Sequence, residues 1–241
     1  GKPANNPVAG LYPSANRMIL VTGATGFLGH SLMPRLVAKG EPVRALVRQS
    51  SDSNWLHKLG VETVIGDITD RTSVLKAAEG VRAIVHAAAR FRFWGSAEEF
   101  EQTNVTGTSY ILEAAARAKV ERFVHVSTVV VVGKPANADP IDEETHCEPV
   151  DTYQHTKYYA ERLVRLYHEQ TRLPVVILRP GAFYGPGGRY AWNRLFFEDP
   201  FRGLRVQVHH GRRLTFPVYI HDVATAILLA LSMVTPAKHT T

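Results

Sequence analysis

Short, continuously apolar runs alternate along this chain with longer amphipathic stretches. The apolar runs are 18–23, 42–47, 61–66, 82–88, 122–128 and 174–180, and the helix-like stretches between them are 27–39, 71–79, 98–118 and 152–171. Unbroken runs of Val, Ile and Leu indicate strands that are covered on both faces. Strand and helix in repeated succession therefore predict an α/β fold with a doubly wound parallel sheet.

The first apolar run leads directly into a glycine-rich turn, TGATGFLG at residues 22–29. Gly23, Gly26 and Gly29 follow one another at intervals of three, after a predicted strand and at the start of a predicted helix. Glycines at such a turn allow a tight reversal and let backbone N–H groups approach a pyrophosphate, which the helix dipole also favours. The turn therefore predicts a dinucleotide site, with a glycine-rich packing turn as the alternative.

Two later positions bear on the choice of dinucleotide. The second strand ends in Val47 and Arg48, where an acidic residue would bind the ribose hydroxyls of NAD. A guanidinium group can pair with a 2′-phosphate, so Arg48 favours NADP, unless it is simply an exposed arginine at a strand end. We expect Asp67 either to accept a hydrogen bond from the adenine amino group or to cap the following helix.

Candidate catalytic residues come from YQHTK at residues 153–157 and from the end of the fifth strand. Tyr153 and Lys157 are four apart, on one helical face. A nearby ammonium group lowers the pKa of a phenol, so we expect Lys157 to bring Tyr153 into the range useful for proton transfer. Either Ser127 or Thr128 could hydrogen-bond a substrate oxygen, because the carboxyl ends of the strands converge on the ligand crevice.

Together these motifs resemble the extended short-chain dehydrogenase/reductase family, of the NAD-dependent epimerase/dehydratase type. The resemblance runs from about Met18 to Leu231 and also includes HAAA at 86–89, NVTGT at 104–108, LRPGAFYGPG at 178–187 and VYIHDVA at 218–224. It implies a Rossmann-type fold, bound NADP or NAD, and an enzyme that acts on a secondary alcohol or ketone. Family members usually continue well past the last motif, so a small or incomplete substrate lobe is expected.

The resemblance also implies roles for individual residues. Thr128 would polarise the substrate oxygen, Tyr153 would act as general acid and base, and Lys157 would lower the pKa of the tyrosine and hold the nicotinamide ribose. Asn104 would bond the neighbouring backbone. The residues implied to bind the cofactor are Gly23, Thr25, Gly26, Phe27, Leu28, Gly29, Arg48, Asp67, Ile68, Ala87, Ala88, Ala89, Lys157, Pro180, Gly181, Ala182 and Phe183, with 180–183 at the nicotinamide end.

Departures from the family pattern restrict which reactions and substrates are expected for this chain. Val129 and Val130 stand where the 4,6-dehydratases carry an Asp-Glu pair, and valine cannot transfer a proton. Ala182 and Thr215 stand where sugar-nucleotide enzymes commonly have Asn and Arg, and these two departures argue against a nucleotide-sugar substrate. The leading hypothesis is a nucleotide-sugar epimerase. The alternative is an NADPH-dependent ketone reductase of dihydroflavonol or 3β-hydroxysteroid type, favoured by Arg48, Ala182 and the aromatic segment 91–95, and a third is a non-catalytic NADP-binding protein.

Charge and composition restrict the partners. The net charge is +6, and five arginines suit an anionic sugar nucleotide or form a solvated surface: Arg189, Arg194, Arg202, Arg212 and Arg213. No zinc-finger or RNA-binding motif indicates a nucleic acid, and no apolar run approaches the ~20 residues of a membrane span. His209, His210, His221 and Asp222 lack the spacing of metal ligands. The single cysteine, Cys147, excludes an internal disulfide and suits a cytoplasmic location.

Five parts are predicted along the chain. Residues 1–16 form a flexible leader or an expression remnant, and 17–180 form the dinucleotide-binding domain. Residues 181–217 form the substrate lobe, 218–232 add a strand and a helix that return to the main domain, and 233–241 form a tail. The helix at 98–118 has an apolar face, and the family resemblance implies that this face pairs with a second subunit in a homodimer; packing within one subunit is the alternative.

Overall fold

The structure is a computed structural model that describes residues 18–91, 95–134, 140–188, 193–203 and 215–233. The strands are β1 (Met18–Thr22), β2 (Val43–Val47), β3 (Glu62–Ile65), β4 (Val81–His86), β5 (Arg122–Val126), β6 (Val175–Leu178), β7 (Ala182–Tyr184) and β8 (Pro217–Tyr219). The α-helices are α1 (Phe27–Ala38), α2 (Asn54–Lys58), α3 (Arg71–Ala77), α4 (Ala97–Glu101), α5 (Gly107–Ala118), α6 (Thr152–Thr171), α7 (Asp199–Phe201) and α8 (Ile220–Ser232). Gln102–Thr106 and Arg194–Glu198 are π-helical, and Val129–Val132 is a 3₁₀ helix.

Six of the strands form one parallel sheet in the order β3-β2-β1-β4-β5-β6. The chain crosses from one half of the sheet to the other between β3 and β4, so β1 and β4 are neighbours at the point where the strand order reverses. Ligands of open α/β sheets bind in the crevice at the carboxyl ends of such a pair. The predicted doubly wound parallel sheet is confirmed.

Both faces of the sheet are covered, as the unbroken apolar runs predict. In β1, Ile19 and Val21 pack on the side of α1 and α8, whereas Leu20 packs on the side of α3, α5 and α6. All three side chains are completely buried. Each buried aliphatic side chain of this kind contributes about 1.5–3 kcal/mol to folding, so the central strands hold the site in place.

The stretch 98–118 is not one regular helix. α4 begins at a capping box formed by Ser96 and Glu99, and a π-helical turn then separates it from α5. That wider turn carries Asn104, whose buried amide donates to Thr156 and accepts from the backbone of Arg90. A π-helical turn of this kind is frequent at functional sites, and apolar periodicity alone does not reveal it.

The C-terminal part differs from the prediction in its strand. The strand expected to return to the main sheet is β8, which instead pairs with β7 in a separate two-stranded sheet. The predicted boundary between residues 217 and 218 therefore falls inside β8. α8 does return to the main domain, where Ile220, Val223 and Ile227 are buried in the core beside α1.

A substitution at Gly29 tests the packing of α1 against the glycine turn. A Cβ at Gly29 would lie 2.0 Å from the carbonyl oxygen of Ala24, which is rigid backbone. Gly29→Ala is therefore expected to lower the free energy of unfolding in urea by at least about 2 kcal/mol, although alanine favours helix.

Ser31→Ala is the matched control in the same helix. The Ser31 hydroxyl is buried and has no hydrogen-bond partner among the described residues. The control should therefore leave stability unchanged or raise it. Equal stability of the Gly29→Ala variant and the unmodified protein would contradict the proposed close packing.

Candidate active site

The end of β1 lies directly against the end of β4. Gly23 has φ +76°, and a Cβ there would stand 2.8 Å from the backbone of Ala87 and Ala88. The Thr22 hydroxyl accepts a hydrogen bond from the Ala88 N–H at 3.2 Å. Only glycine suits this position, because the backbone is left-handed and the neighbouring strand end leaves no space for a side chain.

The N-terminus of α1 has the features that an anion requires. Asp70, Ser96 and Asp151 cap α3, α4 and α6 with their side chains, but no side chain caps α1 and its first turn contains no acidic residue. A Cβ at Gly26 would meet only the Gly23 carbonyl oxygen, at 3.2 Å. Uncapped N–H groups at an exposed helix start fit a pyrophosphate, so the turn is compatible with a bound dinucleotide.

The other residues of the predicted turn differ in exposure. Thr25 and Phe27 are half-buried, whereas the Leu28 side chain lies in the core. Leu28 could therefore contribute to an anion site through its backbone N–H group. The hydrophobic side chain instead holds α1 on the sheet.

Arg48 and Asp67 follow the ends of the neighbouring strands β2 and β3. The Arg48 side chain is exposed. The Asp67 carboxylate accepts hydrogen bonds at 2.9 Å from both the N–H and the hydroxyl of Thr69, so it closes its own turn. The helix-capping alternative for Asp67 is wrong, because the N-cap of α3 is Asp70. Ile68 is buried and lies beside Gly107 at the start of α5.

The three predicted catalytic side chains come together at the carboxyl end of β5. Thr128, just after the strand, is hydrogen-bonded to the Tyr153 phenol. The Lys157 ammonium group donates to the carbonyl oxygen of Val126 at 2.8 Å. The alternative residue, Ser127, has a buried hydroxyl with no partner in the part of the chain that the structure describes. The geometry therefore selects Thr128 over Ser127 as the partner of the tyrosine.

Electrostatics at the site differ from the expectation for the tyrosine. Burial raises the pKa of Tyr153 to about 12, and the nearby Asp151 charge adds to this, while the hydrogen bond from Thr128 opposes it. Burial also lowers the pKa of Lys157 to about 8, against the opposing charge of Glu161. The expected lowering of the tyrosine pKa is absent because desolvation of the buried phenol is the largest effect on it. At neutral pH the site therefore holds a neutral phenol beside a protonated lysine.

A chain of hydrogen bonds through His86 joins β1, β4 and α5. It was not predicted from the sequence. The Thr22 hydroxyl donates to His86 Nδ1 at 2.8 Å, His86 Nε2 donates to the Thr108 hydroxyl at 2.9 Å, and Thr108 donates to the Asn104 carbonyl at 2.6 Å. This chain of donors and acceptors assigns the neutral Nε2–H tautomer. Burial and the charge of Lys157 lower the pKa of His86 to about 3.

His125 on β5 is paired in register with His86, and their rings lie 5.5 Å apart. It is completely buried, and neither ring nitrogen has a hydrogen-bond partner among the described residues. Burial, with the charge of Lys157, holds the pKa of His125 well below its usual range. A histidine inside each of two adjacent apolar runs was the signal in the sequence that could have found this pair.

Two segments border the end of the crevice where the family resemblance places the nicotinamide. Ala87–Ala89 follow β4, and the Asn104 amide fastens the next residue, Arg90, to the catalytic helix α6 through Thr156. Pro180 follows β6, and its carbonyl oxygen accepts from the Val129 N–H at 2.9 Å. Gly181, Ala182 and Phe183 continue from it into β7.

One aromatic side chain stands directly beside the candidate catalytic tyrosine, Tyr153. The Phe91 ring packs edge-on against the Tyr153 ring, with centroids 5.1 Å apart, and remains 44% exposed. The other aromatic residues of the predicted segment 91–95 lie outside the described residues. Phe91 therefore gives the mouth of the site an apolar wall.

Only part of the predicted cationic surface can be placed. Arg194 forms an ion pair with the buried Asp199 at 3.3 Å, and Arg202 is exposed. Arg189, Arg212, Arg213, His209 and His210 lie outside the described residues. Within the described ranges, no group of three or more His, Cys, Asp and Glu side chains is arranged to hold a metal ion. None of the helices in those ranges combines the length and the apolar character needed to cross a membrane.

Comparison with known proteins gives a consistent family. The model of the NAD dependent epimerase/dehydratase family matches residues 19–240. Sterol demethylase protein B of Methylococcus capsulatus is 41% identical over 88% of this chain and 65% of its own length. The 2-alkyl-3-oxoalkanoate reductase of Stenotrophomonas maltophilia is 35% identical over 90% of this chain and 66% of its own. The chain thus spans about two thirds of the length of these curated relatives.

Solved structures agree with the fold. UDP-glucose 4-epimerase of Thermus thermophilus, in complex with NAD, superimposes with a TM-score of 0.78 and is 27% identical. The match covers 90% of this chain and 75% of that one. The sheet and its helices are therefore those of this family of structures.

Replacing His125 tests whether the buried imidazole stays neutral in the folded protein. Its pKa is about 6.5 when unfolded and well below that when folded, so below pH 6.5 the unfolded chain binds a proton that the folded chain does not. Stability is thereby lost as the pH falls below 6.5. The unfolded His125→Leu chain binds one proton fewer at acidic pH. The loss of unfolding free energy on acidification should therefore be smaller by about 1.4 kcal/mol per pH unit.

The measurement is the free energy of urea unfolding between pH 7 and pH 4. At pH 7 the variant should be at least as stable as the unmodified protein, because no hydrogen bond of the imidazole is lost. An identical pH dependence for both proteins would show that His125 takes up a proton in the folded state.

Proposed function

This chain belongs to the NAD dependent epimerase/dehydratase family, and from that premise we propose that it reduces a ketone, or oxidises the corresponding secondary alcohol, on a bulky apolar substrate. The observation that carries the proposal is the half-exposed Phe91 ring, which packs edge-on against Tyr153 at the mouth of the site. Tyr153 is the proposed proton donor. Its pKa of about 12 keeps the phenol protonated at neutral pH, hydrogen-bonded to Thr128. A phenol in that state is suited to give its proton to a carbonyl oxygen as the ketone is reduced.

Each catalytic residue has a separate task in this mechanism. The Thr128 hydroxyl donates a hydrogen bond to the substrate carbonyl, and Tyr153 delivers the proton to the same oxygen. Lys157, protonated below a pKa of about 8, provides positive charge that stabilises the phenolate left behind. Its ammonium group cannot move freely, because the Val126 carbonyl holds it at 2.8 Å.

The dinucleotide is proposed to lie along the carboxyl ends of β1 and β4. The backbone of the turn at 23–29 would hold the pyrophosphate, Arg48 a 2′-phosphate, and Lys157 the nicotinamide ribose. Ile68, Ala87–Ala89 and Pro180–Phe183 would line its length. When bound, the coenzyme supplies or accepts the hydride. The exposed guanidinium group after β2 supports NADP over NAD.

The surroundings of the tyrosine support an apolar substrate. Phe91 stands edge-on to the phenol, and Val130, two residues after Thr128, is 40% exposed. The names of the two curated relatives, a sterol demethylase protein and a 2-alkyl-3-oxoalkanoate reductase, agree with this substrate class. Polar sugar hydroxyls would find few partners on these side chains.

A nucleotide-sugar epimerase, the leading hypothesis from the sequence, is the second candidate. The likeness to the UDP-glucose 4-epimerase supports it, together with the basic character of the chain. The described arginines support it less, because Arg194 already has Asp199 as its counterion. An epimerase returns its hydride to the substrate, so it consumes no coenzyme.

A homodimer is also proposed, but through a different surface from the one the apolar stripe suggested. Ile111 and Leu112 of α5 are completely buried within the subunit, so monomer packing explains that stripe. The exposed groove lies between α4 and α6 and includes Val105, Tyr159 and Leu166. This groove is the surface on which a second subunit would pack.

Absorbance of added NADPH distinguishes the two reactions. We expect oxidation of NADPH with fused-ring or long-chain ketones, and no turnover of UDP-glucose or UDP-galactose. Interconversion of these sugars at constant NADPH absorbance would favour the epimerase instead.

Tyr153→Phe is expected to lower kcat for the ketone by about 10²–10⁴-fold, because the proton donor is lost. Binding of NADPH, measured by fluorescence titration, should stay within about twofold. Tyr159→Phe is the matched control on the same helix, since Tyr159 is 49% exposed and lines the groove beside α4; it should retain full activity. Unchanged turnover of Tyr153→Phe would exclude the proposed acid, whereas NADPH binding without turnover in the unmodified protein would favour the non-catalytic alternative.

Arg48→Gln tests the coenzyme preference. Loss of a paired guanidinium should raise the Kd for NADP by about 10–100-fold, while the Kd for NAD stays nearly constant. Lys58→Gln, which removes an exposed positive charge from α2, is the control and should change neither value. Equal effects of Arg48→Gln on both coenzymes would contradict a 2′-phosphate contact.

A further inference from the structure

A buried ion pair connects the catalytic helix to the strand end beside it. The Glu161 carboxylate, only 1% exposed, accepts hydrogen bonds from Arg179 Nε at 3.0 Å and Arg179 Nη2 at 2.8 Å. Arg179 directly follows β6 and precedes Pro180. The guanidinium group also lies 3.8 Å from the Cys147 sulfur and 3.5 Å from the Glu143 carbonyl oxygen.

We propose that the Glu161–Arg179 ion pair positions Lys157 and sets the charge around its ammonium group, without itself touching substrate or coenzyme. The inference rests on the proposed function in so far as Lys157 takes part in that chemistry. It assigns a role to two residues that the sequence motifs left without one.

The positioning follows from the spacing along α6. Tyr153, Lys157 and Glu161 are four residues apart in succession, so they form one stripe along the helix. Each is fixed to the carboxyl edge of the sheet: Tyr153 to Thr128, Lys157 to the Val126 carbonyl, and Glu161 to Arg179. Val126 and Leu178 are register partners in β5 and β6, so the last two attachments are made to adjacent strands.

The charges around Lys157 come from every element packed against it. His86 on β4 and His125 on β5 face it and are held neutral, with pKa values below their usual range. Tyr153 lies one turn before it on α6 and is a neutral phenol at pH 7. Glu161 is the negatively charged group that acts on it, and Arg179, with Cys147 at its edge, balances that charge in turn.

The consequence is a lysine held between two opposing effects. Burial disfavours the ammonium form, and the Glu161 carboxylate favours it, which leaves a pKa of about 8. Removing the carboxylate would leave a buried cation, Lys157, and a partly buried one, Arg179, without the anion that both now have. Removing the guanidinium would leave Lys157 as the cation that faces a buried carboxylate.

The test is a titration of Lys157 in the ligand-free, full 241-residue chain. The protein is labelled with ¹³C-lysine, and the Cε resonance of Lys157 is assigned by its absence from Lys157→Met. Glu161→Gln should lower the pKa of Lys157 by about one unit or more, and Arg179→Gln should raise it by a similar amount. The high-pH limb of kcat should move in the same directions.

These opposite directions separate the proposal from a purely structural role. If the pair only fastened α6, its loss would let water reach Lys157, and both variants would raise the pKa toward 10.5, the usual value for lysine. An upward shift or no shift in Glu161→Gln would therefore overturn the proposal. Should that variant not fold, Glu161→Asp is the substitute, because it keeps the charge but moves it away from the lysine. A smaller downward shift of the Lys157 pKa is then expected. No shift, or an upward shift, would overturn the proposal.

Glu113→Gln is the matched control, because it breaks an ion pair with Arg71 at the edge of α5. It should leave the Lys157 titration in place, and a shift as large as that of Glu161→Gln would overturn the proposal. Failure of the proposed function is a separate result. In that case the unmodified protein would not oxidise NADPH with the ketones, or Tyr153→Phe would turn over normally, while the ligand-free titrations would still follow the ion pair.

Discussion

The site depends on how closely the carboxyl ends of β1 and β4 approach each other. In a parallel sheet these ends lie at one edge, and here the backbone of Gly23 touches that of Ala87 and Ala88 with no side chain between them. This contact directs the uncapped start of α1 toward the crevice. The same edge carries Thr128 at the end of β5, so the proposed anion site and the proposed proton-transfer site share one crevice.

Polar groups buried along this edge hold α6, the helix of the proposed catalytic residues, in place. Five residues of α6 are buried. Ala160 and Val164 are apolar, and the other three are polar: Thr156, Lys157 and Glu161. Buried polar groups are stabilising only when they are paired, and here a side-chain amide, a carbonyl oxygen and a guanidinium group satisfy them. The first half of α6 therefore packs on the sheet through hydrogen bonds and an ion pair. Such directional contacts define the position of Tyr153 more closely than apolar packing would.

The sequence predicts the fold well because the fold depends on local patterns. Strands β1–β6 and helices α1, α3 and α6 follow from apolar runs, and the bounds of α6 agree with the predicted 152–171. The pairing of β8 with β7 was not predictable, because a three-residue strand has no pattern that specifies its partner. The same holds for the π-helical turn at Asn104, whose buried bonds join residues far apart in the chain.

At the site, residue types were easier to predict than their electrostatic state. The motif YxxxK places Tyr153 and Lys157 on one face, but it does not show that burial outweighs the lysine charge and raises the pKa of the tyrosine. This chain is similar to proteins named as a sterol demethylase protein, a reductase and an epimerase, so its family alone does not select the substrate. Selection must come from the side chains that face the other half of the crevice. Among the described residues, the half-exposed Phe91 ring beside Tyr153 supports the proposed apolar substrate, and the pairing of β7 with β8 adds a second aromatic pair, Tyr184 and Tyr219, whose ring centroids lie 5.5 Å apart.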